Sequence, residues 1–360
     1  MRIVTAPDSF KGSISAAGAA SALATGWRRA RPDDEVIELP LADGGEGTLA
    51  VLAAAAPDGR WHHVRVSGPD TAQVQAAWLE LDGNVAVVEL AAAAGLTLLS
   101  DLRPLTAHSF GVGELIRSAL SAGARRVLVA LGGSACTDGG TGALAALGAR
   151  FLDARGAELP RGGAALTQLA AVDLTGLLPL PAGGISCLTD VRAPLLGPGG
   201  AAVVFGPQKG ASPADVALLE TGLMRLASLL GGDPAEPGAG AAGGCGYGLA
   251  AGLGARLLPG AAELAMVAGL PDALAGADLV ITGEGQYDAT SEGGKVVGAV
   301  RAIAAATGVA VAIVAGRMAQ APPPGVRAVD LAALAGGAEA AMADPGRWLA
   351  EAGTLLAATA

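Results

Sequence analysis

The sequence predicts an α/β chain folded as two interleaved domains, one built on a parallel sheet and one on a mixed sheet. Two observations carry this. Short apolar, β-rich runs recur, each followed by a glycine loop with an acid or lysine and then by helical sequence. That order is the signature of parallel strands joined by crossover helices, whose ligands bind beyond the carboxyl ends of the strands. The pattern is interrupted by closely spaced strand candidates joined by tight-turn residues, the texture of antiparallel pairing. At 360 residues the chain also exceeds one ordinary core.

Arg2 to Ala6 reads as the first strand, and Pro7-Asp8-Ser9-Phe10-Lys11-Gly12-Ser13 as its loop. Ser13 or Ser15 caps a helix to about Arg31, where Arg28, Arg29 and Arg31 suit the helix dipole and Pro32 stops it. Val36 to Leu39 is the second strand. It ends in Asp43-Gly44-Gly45-Glu46-Gly47-Thr48, and a helix runs on to about Ala56. Trp61 to Val66, Val74 to Leu81 and Val85 to Leu90 are antiparallel candidates, and Asp82-Gly83-Asn84 signals a hairpin. Gly111 to Ala122 is a helix. Arg126 to Leu131 is a buried strand of the parallel domain, with Gly132-Gly133-Ser134-Ala135-Cys136-Thr137-Asp138-Gly139-Gly140 as its loop and a helix to about Ala149. Further strands are expected at Phe151 to Ala154, Gly184 to Leu188 and Ala201 to Phe205, then a helix from Ala214 to Leu230. Gly231 to Gly248 reads as a loop returning the chain to the parallel domain. Leu279 to Ile281 is a strand buried on both faces; Gly283 and Gly285 are expected to break it, with Glu284 and Asp288 in the loop. A helix starts near Gly294-Lys295. Strands at Val309 to Val314 and Val326 to Leu331 and a helix from Glu339 to Leu355 complete the chain.

The net charge of −10 disfavours nucleic acid, which needs a positive surface. No run of about 18 apolar residues suggests a membrane span. The strand at Arg2 leaves no room for a signal peptide. Cys136, Cys187 and Cys245 are odd in number and far apart, so neither a disulfide framework nor a CxxC zinc site is expected, and a reducing cytoplasm fits. Adjacent His62 and His63 would face opposite sides of a strand and cannot share a metal from one face.

Gly238-Ala239-Gly240-Ala241-Ala242-Gly243 matches GxGxxG, but no strand precedes it, so it is set aside as a dinucleotide fingerprint. Walker A fails, because Val296 follows Gly294-Lys295 where Ser or Thr is required. GxSxG is absent. What remains is a set of acids and cations among glycines just after strands: Asp8 with Lys11, Asp43 with Glu46, Asp138, Asp190 with Arg192, Lys209, and Glu284 with Asp288. One such acid alone is more simply a turn or capping group. Together, without His or Cys, they suit a hard ion such as Mg²⁺ and a phosphate-bearing substrate. Phosphoryl transfer needs positioning, a metal bridge, cations on the moving oxygens and a carboxylate base.

Ala6-Pro7-Asp8-Ser9-Phe10-Lys11-Gly12-Ser13, Leu41-Ala42-Asp43-Gly44-Gly45-Glu46-Gly47-Thr48, Leu131-Gly132-Gly133-Ser134-Ala135 with Asp138-Gly139-Gly140, Phe205-Gly206-Pro207-Gln208-Lys209-Gly210-Ala211, and Ile281-Thr282-Gly283-Glu284-Gly285 with Asp288 and Gly294-Lys295 resemble the bacterial glycerate kinase family of type I. The likeness runs in one order from the first strand to the last helix. It implies ATP-dependent phosphorylation of D-glycerate, usually at the 2-hydroxyl, with Mg²⁺. It also implies a Rossmann-like domain (1–60, 106–149 and 240–360) and a mixed α/β domain (61–105 and 150–239), with the active site in the cleft between. On this reading Gly132, Gly133, Ser134, Gly283 and Gly285 face the ATP phosphates, and Asp43 and Glu284 hold Mg²⁺. Lys11 and Asp8 act in catalysis, Asp190 accepts the hydroxyl proton, and Ser9, Arg192, Lys209 and Lys295 bind substrate. A monomer or homodimer is expected, with D-glycerate and ATP as small-molecule partners. The chain departs from the family pattern at His108, Cys136-Thr137, Ala193, Gln286 and Thr290-Ser291, which puts substrate contacts in question more than reaction class.

Overall fold

The computed structural model describes residues 1–45 and 47–360. Glu46, expected beside Asp43, lies outside the described residues. The strands are β1 (Arg2–Thr5), β2 (Glu35–Glu38), β3 (Arg60–Ser67), β4 (Gln73–Leu81), β5 (Val85–Glu89), β6 (Arg126–Ala130) and β7 (Arg150–Leu152), then β8 (Ala171–Asp173), β9 (Ile185–Leu188), β10 (Arg256–Leu258), β11 (Leu279–Tyr287), β12 (Ala310–Met318) and β13 (Arg327–Asp330). The chain forms two compact units. One comprises 1–43, 50–57 and 259–360; the other comprises 44–49 and 58–258.

The first unit is an all-parallel sheet in the order β13-β12-β11-β1-β2. Successive strand residues point to opposite faces, and both faces are buried. Ile3, Leu279, Ile281, Ala312 and Val314 pack beside Leu23, Trp27, Leu349 and Leu356, which come from the helices Ala16–Ala30 and Pro345–Ala358. Val4 and Val280 pack on the other face beside Ala261, Leu270 and Val300, from the helices Gly260–Val267, Leu270–Leu274 and Val296–Thr307. Ser15 caps the first helix through Gly18 N–H. Taken in chain order, the strands follow the doubly wound arrangement 2-1-3-4-5, which reverses direction between β1 and β11.

The second unit holds a six-stranded mixed sheet, β10-β9-β6-β5-β4-β3, and the small antiparallel pair β7-β8. β3-β4 and β4-β5 are antiparallel, as expected, and β5-β6, β6-β9 and β9-β10 are parallel. Gly83 and Asn84 take positive φ at the hairpin.

Four expectations are corrected here. Segments 106–149 and 240–258, placed in the parallel domain, belong to the second unit, because β6 sits between β5 and β9. A strand buried on both faces reads alike in either sheet. Ala201–Phe205 is a short helix, not a strand. Gly231 to Gly248 is not simply a returning loop, because a kinked helix spans Ala241–Leu253. β11 is not broken at Gly283 or Gly285 but pairs with β12 as far as Tyr287 and Met318. Gly283 serves close packing, since a Cβ there would lie 2.0 Å from the Val314 carbonyl oxygen. Among the described residues no helix is long and apolar enough to cross a membrane.

Candidate active site

The carboxyl ends of β1, β11 and β12 open into a cavity of about 520 Å³ inside the first unit. Its polar end is lined by Asp8, Ser9, Lys11, Asp43, Glu284 and Lys295. Asp288 and Gly285 line it too. Sequence-distant loops meet here because β1 and β11 are neighbours: Asp8 N–H donates to the Gly283 carbonyl at 2.9 Å, and Leu41 N–H to the Pro7 carbonyl at 3.0 Å. The location is the strand-order reversal of an open parallel sheet, where such folds bind ligands.

Two cation–carboxylate pairs frame the polar end. Lys11 Nζ lies 3.4 Å from Asp43 Oδ2, and Lys295 Nζ lies 3.7 Å from Glu284 Oε2. Asp43 raises the Lys11 pKa, so the exposed ammonium stays charged. Asp8 is buried and accepts only its neighbour's N–H, from Ser9 at 2.6 Å, among the bonds found. Burial, then the charge of Asp43, pushes its carboxyl up to about 7. Burial also raises Glu284, with the Ser291 hydroxyl and Lys295 opposing the rise. Glu284 Oε1 is buried and has no hydrogen-bond partner among the described residues. Asp288 is different: Thr290 N–H and Oγ1 donate to one oxygen at 2.8 and 2.6 Å, and Gln286 Nε2 to the other at 3.1 Å. These bonds hold its carboxyl down at about 2 and make it a turn-closing group.

Asp190, Arg192, Lys209, Gly132, Gly133, Ser134 and Gly283 do not line the cavity. Asp190 and Arg192 follow β9 in the second unit. Lys209, expected to bind substrate, lies away from this cavity. It is 2% exposed, and its Nζ donates to Ser134 Oγ at 2.9 Å and to the Cys136 carbonyl at 2.5 Å. The loop 132–134 offers less to a phosphate than expected: Gly132 N–H donates to the Gly44 carbonyl, and a Cβ at Gly132 would sit 2.6 Å from Gly45 Cα. The GxGxxG run is likewise a packing device, since a Cβ on Gly243 would lie 2.1 Å from the Cys136 carbonyl oxygen.

The sequence reading did not single out Arg317 or the apolar lining from Leu331, Ala338, Ala341, Met342 and Pro345. The position of Arg317 near the carboxyl end of β12 was the available signal.

Among the described residues, one trio of potential metal-ligand atoms lies within 4.8 Å of one another: Cys136, Asp138 and Cys245. Its chemistry is not that of an open metal site. The Asp138 carboxylate already accepts Ser109 N–H and Oγ, Gly140 N–H and Gly142 N–H, and the Lys209 ammonium is close by. The Cys136 and Cys245 sulfurs, 3.8 Å apart, are buried, and the Cys245 thiol is pushed up by its partner and by burial.

A family model described as the Glycerate kinase family matches residues 3–360. The "Glycerate 2-kinase" of Escherichia coli (strain K12) is 44% identical over 305 residues, covering 82% of this chain and 79% of that protein. The "Glycerate kinase" of Bacillus subtilis (strain 168) is 43% identical over 304 residues, covering 82% and 79%. A crystal structure from Salmonella typhimurium LT2, described as a "putative glycerate kinase 2", superposes with a TM-score of 0.87 at 40% identity, covering 100% of this chain and 98% of that one. The chain therefore belongs to the glycerate kinase family and is a kinase.

Proposed function

We propose that this enzyme transfers the γ-phosphoryl group of ATP to the 2-hydroxyl of D-glycerate, with Mg²⁺, and works in the cytoplasm. The observation that carries the reading is the polar end of the cavity: two lysines set against two carboxylates at the switch point of a parallel sheet. The glycerate kinase relatives supply the acceptor.

The donor set suits Mg²⁺. The candidates Asp43 and Glu284 offer only hard oxygen, and Glu284 keeps a buried oxygen with no hydrogen-bond partner. Among the described residues, the cavity's carboxylates do not form a closed three-ligand cage. That matches the habit of Mg²⁺, which is held by one or two carboxylates and otherwise by water and substrate phosphates. Asp43 and Glu284 would hold the ion. When bound, it would supply positive charge to offset that of the phosphates.

Lys11 and Lys295 would place positive charge on the transferring phosphoryl group and the glycerate carboxylate. Ser9 would donate to the acceptor. Asp8 would accept the hydroxyl proton, because it lies on the cavity beside Lys11 while Asp190 does not.

The test is ADP release with ATP, Mg²⁺ and D-glycerate, with ³¹P NMR of the product. 2-Phosphoglycerate confirms the reading, and 3-phosphoglycerate moves the acceptor hydroxyl. Turnover only with another hydroxy acid keeps the kinase and changes the substrate. Loss of turnover in chelator that Mg²⁺ does not restore refutes the metal assignment.

A further inference from the structure

The mixed sheet of the second unit has one long outer strand. β3 runs for eight residues, Arg60–Ser67, at the end of the order β10-β9-β6-β5-β4-β3. The other outer strands of the two large sheets are short: β2 and β13 have four residues each and β10 has three. Short edge strands discourage pairing with another chain, whereas a long one without proline leaves a row of backbone groups open to it.

Those groups can be placed residue by residue. In an antiparallel pair, hydrogen-bonded and non-hydrogen-bonded positions alternate. Gly68 N–H donates to the Ala72 carbonyl at 2.6 Å, and the register continues as Val66 with Val74, Val64 with Ala76 and His62 with Trp78. The even residues of β3 therefore bond to β4, and the N–H and C=O groups of Trp61, His63, Arg65 and Ser67 point away from it. Ser67 shows the direction, since its N–H donates to Glu114 Oε2 at 2.6 Å. Among the described residues no hydrogen bond is found for the outward groups of Trp61, His63 and Arg65. The side chains divide in the same way. His62 stacks on Trp78 with ring centroids 3.9 Å apart, and its Nε2 lies 2.7 Å from Glu80 Oε2, to which Arg60 also donates. Trp61, His63 and Arg65 are exposed, Trp61 to 43%. Tryptophan and arginine are the residue types that most often anchor interfaces.

We propose that β3 pairs with β3 of a second copy of this chain, antiparallel about a two-fold axis through His63, so that two six-stranded sheets become one. The strand is complementary to itself in this register. Trp61 of each copy meets Arg65 of the other, and His63 meets His63. Hydrogen-bonded pairs then fall on the outward residues, and every open N–H and C=O of Trp61, His63 and Arg65 is used. Sliding one copy by two residues sets Arg65 against Gly59, outside the strand, or Trp61 against Ser67, whose N–H Glu114 already holds. Sliding by one residue sets outward groups against residues already bonded to β4. Directly opposed side chains lie about 4.5–5.5 Å apart at Cβ. Each guanidinium is thereby set beside an indole ring, and the symmetry makes this cation–π pair twice. A strand from an unrelated protein could fill the same edge, but it would have no reason to match Trp61 and Arg65 at once.

Sedimentation equilibrium on the full-length protein, at up to about 100 μM, should give twice the chain mass of 34.7 kDa. His63→Pro removes an N–H that does not bond within the single chain, so the ladder to β4 survives, which far-UV circular dichroism checks. It should weaken the dimer about tenfold or more. Cross-linking tests the register. With oxidised glutathione, His63→Cys should link to itself, while Trp61→Cys and Arg65→Cys should link when mixed and not separately. Cys136, Cys187 and Cys245 are buried and do not compete. These variants keep the β3 backbone and decide the matter if the proline variant does not fold. A monomer at every concentration overturns the inference. So does a dimer whose affinity stays within about twofold in folded His63→Pro, which puts the interface elsewhere. Cross-linking outside the expected pattern overturns it as well.

Discussion

Glu284 and Asp138 look alike in sequence, each a carboxylate among glycines that follow a buried apolar run. In the parallel-sheet unit Glu284 keeps Oε1 without a partner and faces a cavity with Lys295 beside it. In the mixed-sheet unit Asp138 is fully buried and receives donors from Ser109, Gly140 and Gly142. The lysines divide the same way. Lys11 stands exposed on the cavity, and Lys209 is consumed by the loop it holds. An acid or lysine in a glycine loop therefore marks a site only where its bonding capacity is left over. Where donors saturate it, the same residue is a fastening.

Glu284→Gln is the largest test of this contrast. It should lower kcat/KM for glycerate phosphorylation about 10² to 10³-fold, with the thermal midpoint nearly unchanged. A variant that melts early yet turns over normally would make Glu284 another fastening and end the comparison. Lys11→Ala should reduce kcat on the order of a hundredfold. Its exposed pair with Asp43 contributes only about 0–1 kcal/mol to folding, so denaturant midpoints should barely move. Asp138→Asn should do the reverse. It replaces an acceptor oxygen with a donor facing donors, at about 1–3 kcal/mol of stability, and kcat per folded molecule should be retained. Loss of turnover without loss of stability would put Asp138 in the chemistry.

The smallest effect is a pH slope at Lys209. Burial lowers its pKa from 10.5. Between the folded value and 10.5 the unfolded chain binds a proton that the folded chain does not. Stability from this group therefore rises with pH across that window. Urea midpoints measured at successive pH values should show the rise in the unaltered protein and a flatter profile in Lys209→Met. Identical slopes would mean that the ammonium is not disfavoured where it sits.

Much of this was readable from residues alone. Strand, glycine loop and helix recur with a spacing that only crossover connections explain, and Asp8, Lys11, Asp43, Glu284 and Lys295 do converge. What could not be read was allegiance and saturation. β6 carries the same apolar run whether its neighbours are β1 and β11 or β5 and β9. Lys209 looks like any loop lysine until Ser134 and the Cys136 carbonyl close on it. The segment 331–345 is alanine, leucine and methionine, indistinguishable in sequence from core-facing helix, so the wall of the cavity stayed hidden. Gly283 resembled a breaker because its role depends on the Val314 carbonyl, which is remote in sequence.

The discontinuity of the parallel-sheet unit has a consequence for the order in which the protein is made. β1 has β2 as an early neighbour, but its other edge waits for β11, and the helix Ala16–Ala30 waits for Pro345–Ala358. Residues 58–258 carry nearly the whole second unit and emerge from the ribosome as one contiguous block before residues 259–360 that complete the first. Domains fold as units as they appear, so that block can complete its core while the amino-terminal strands still lack partners. The pocket that joins Asp8 to Glu284 comes into being only as the final hundred or so residues arrive. A ribosome stalled before residue 279 would hold a folded mixed-sheet unit and no such pocket.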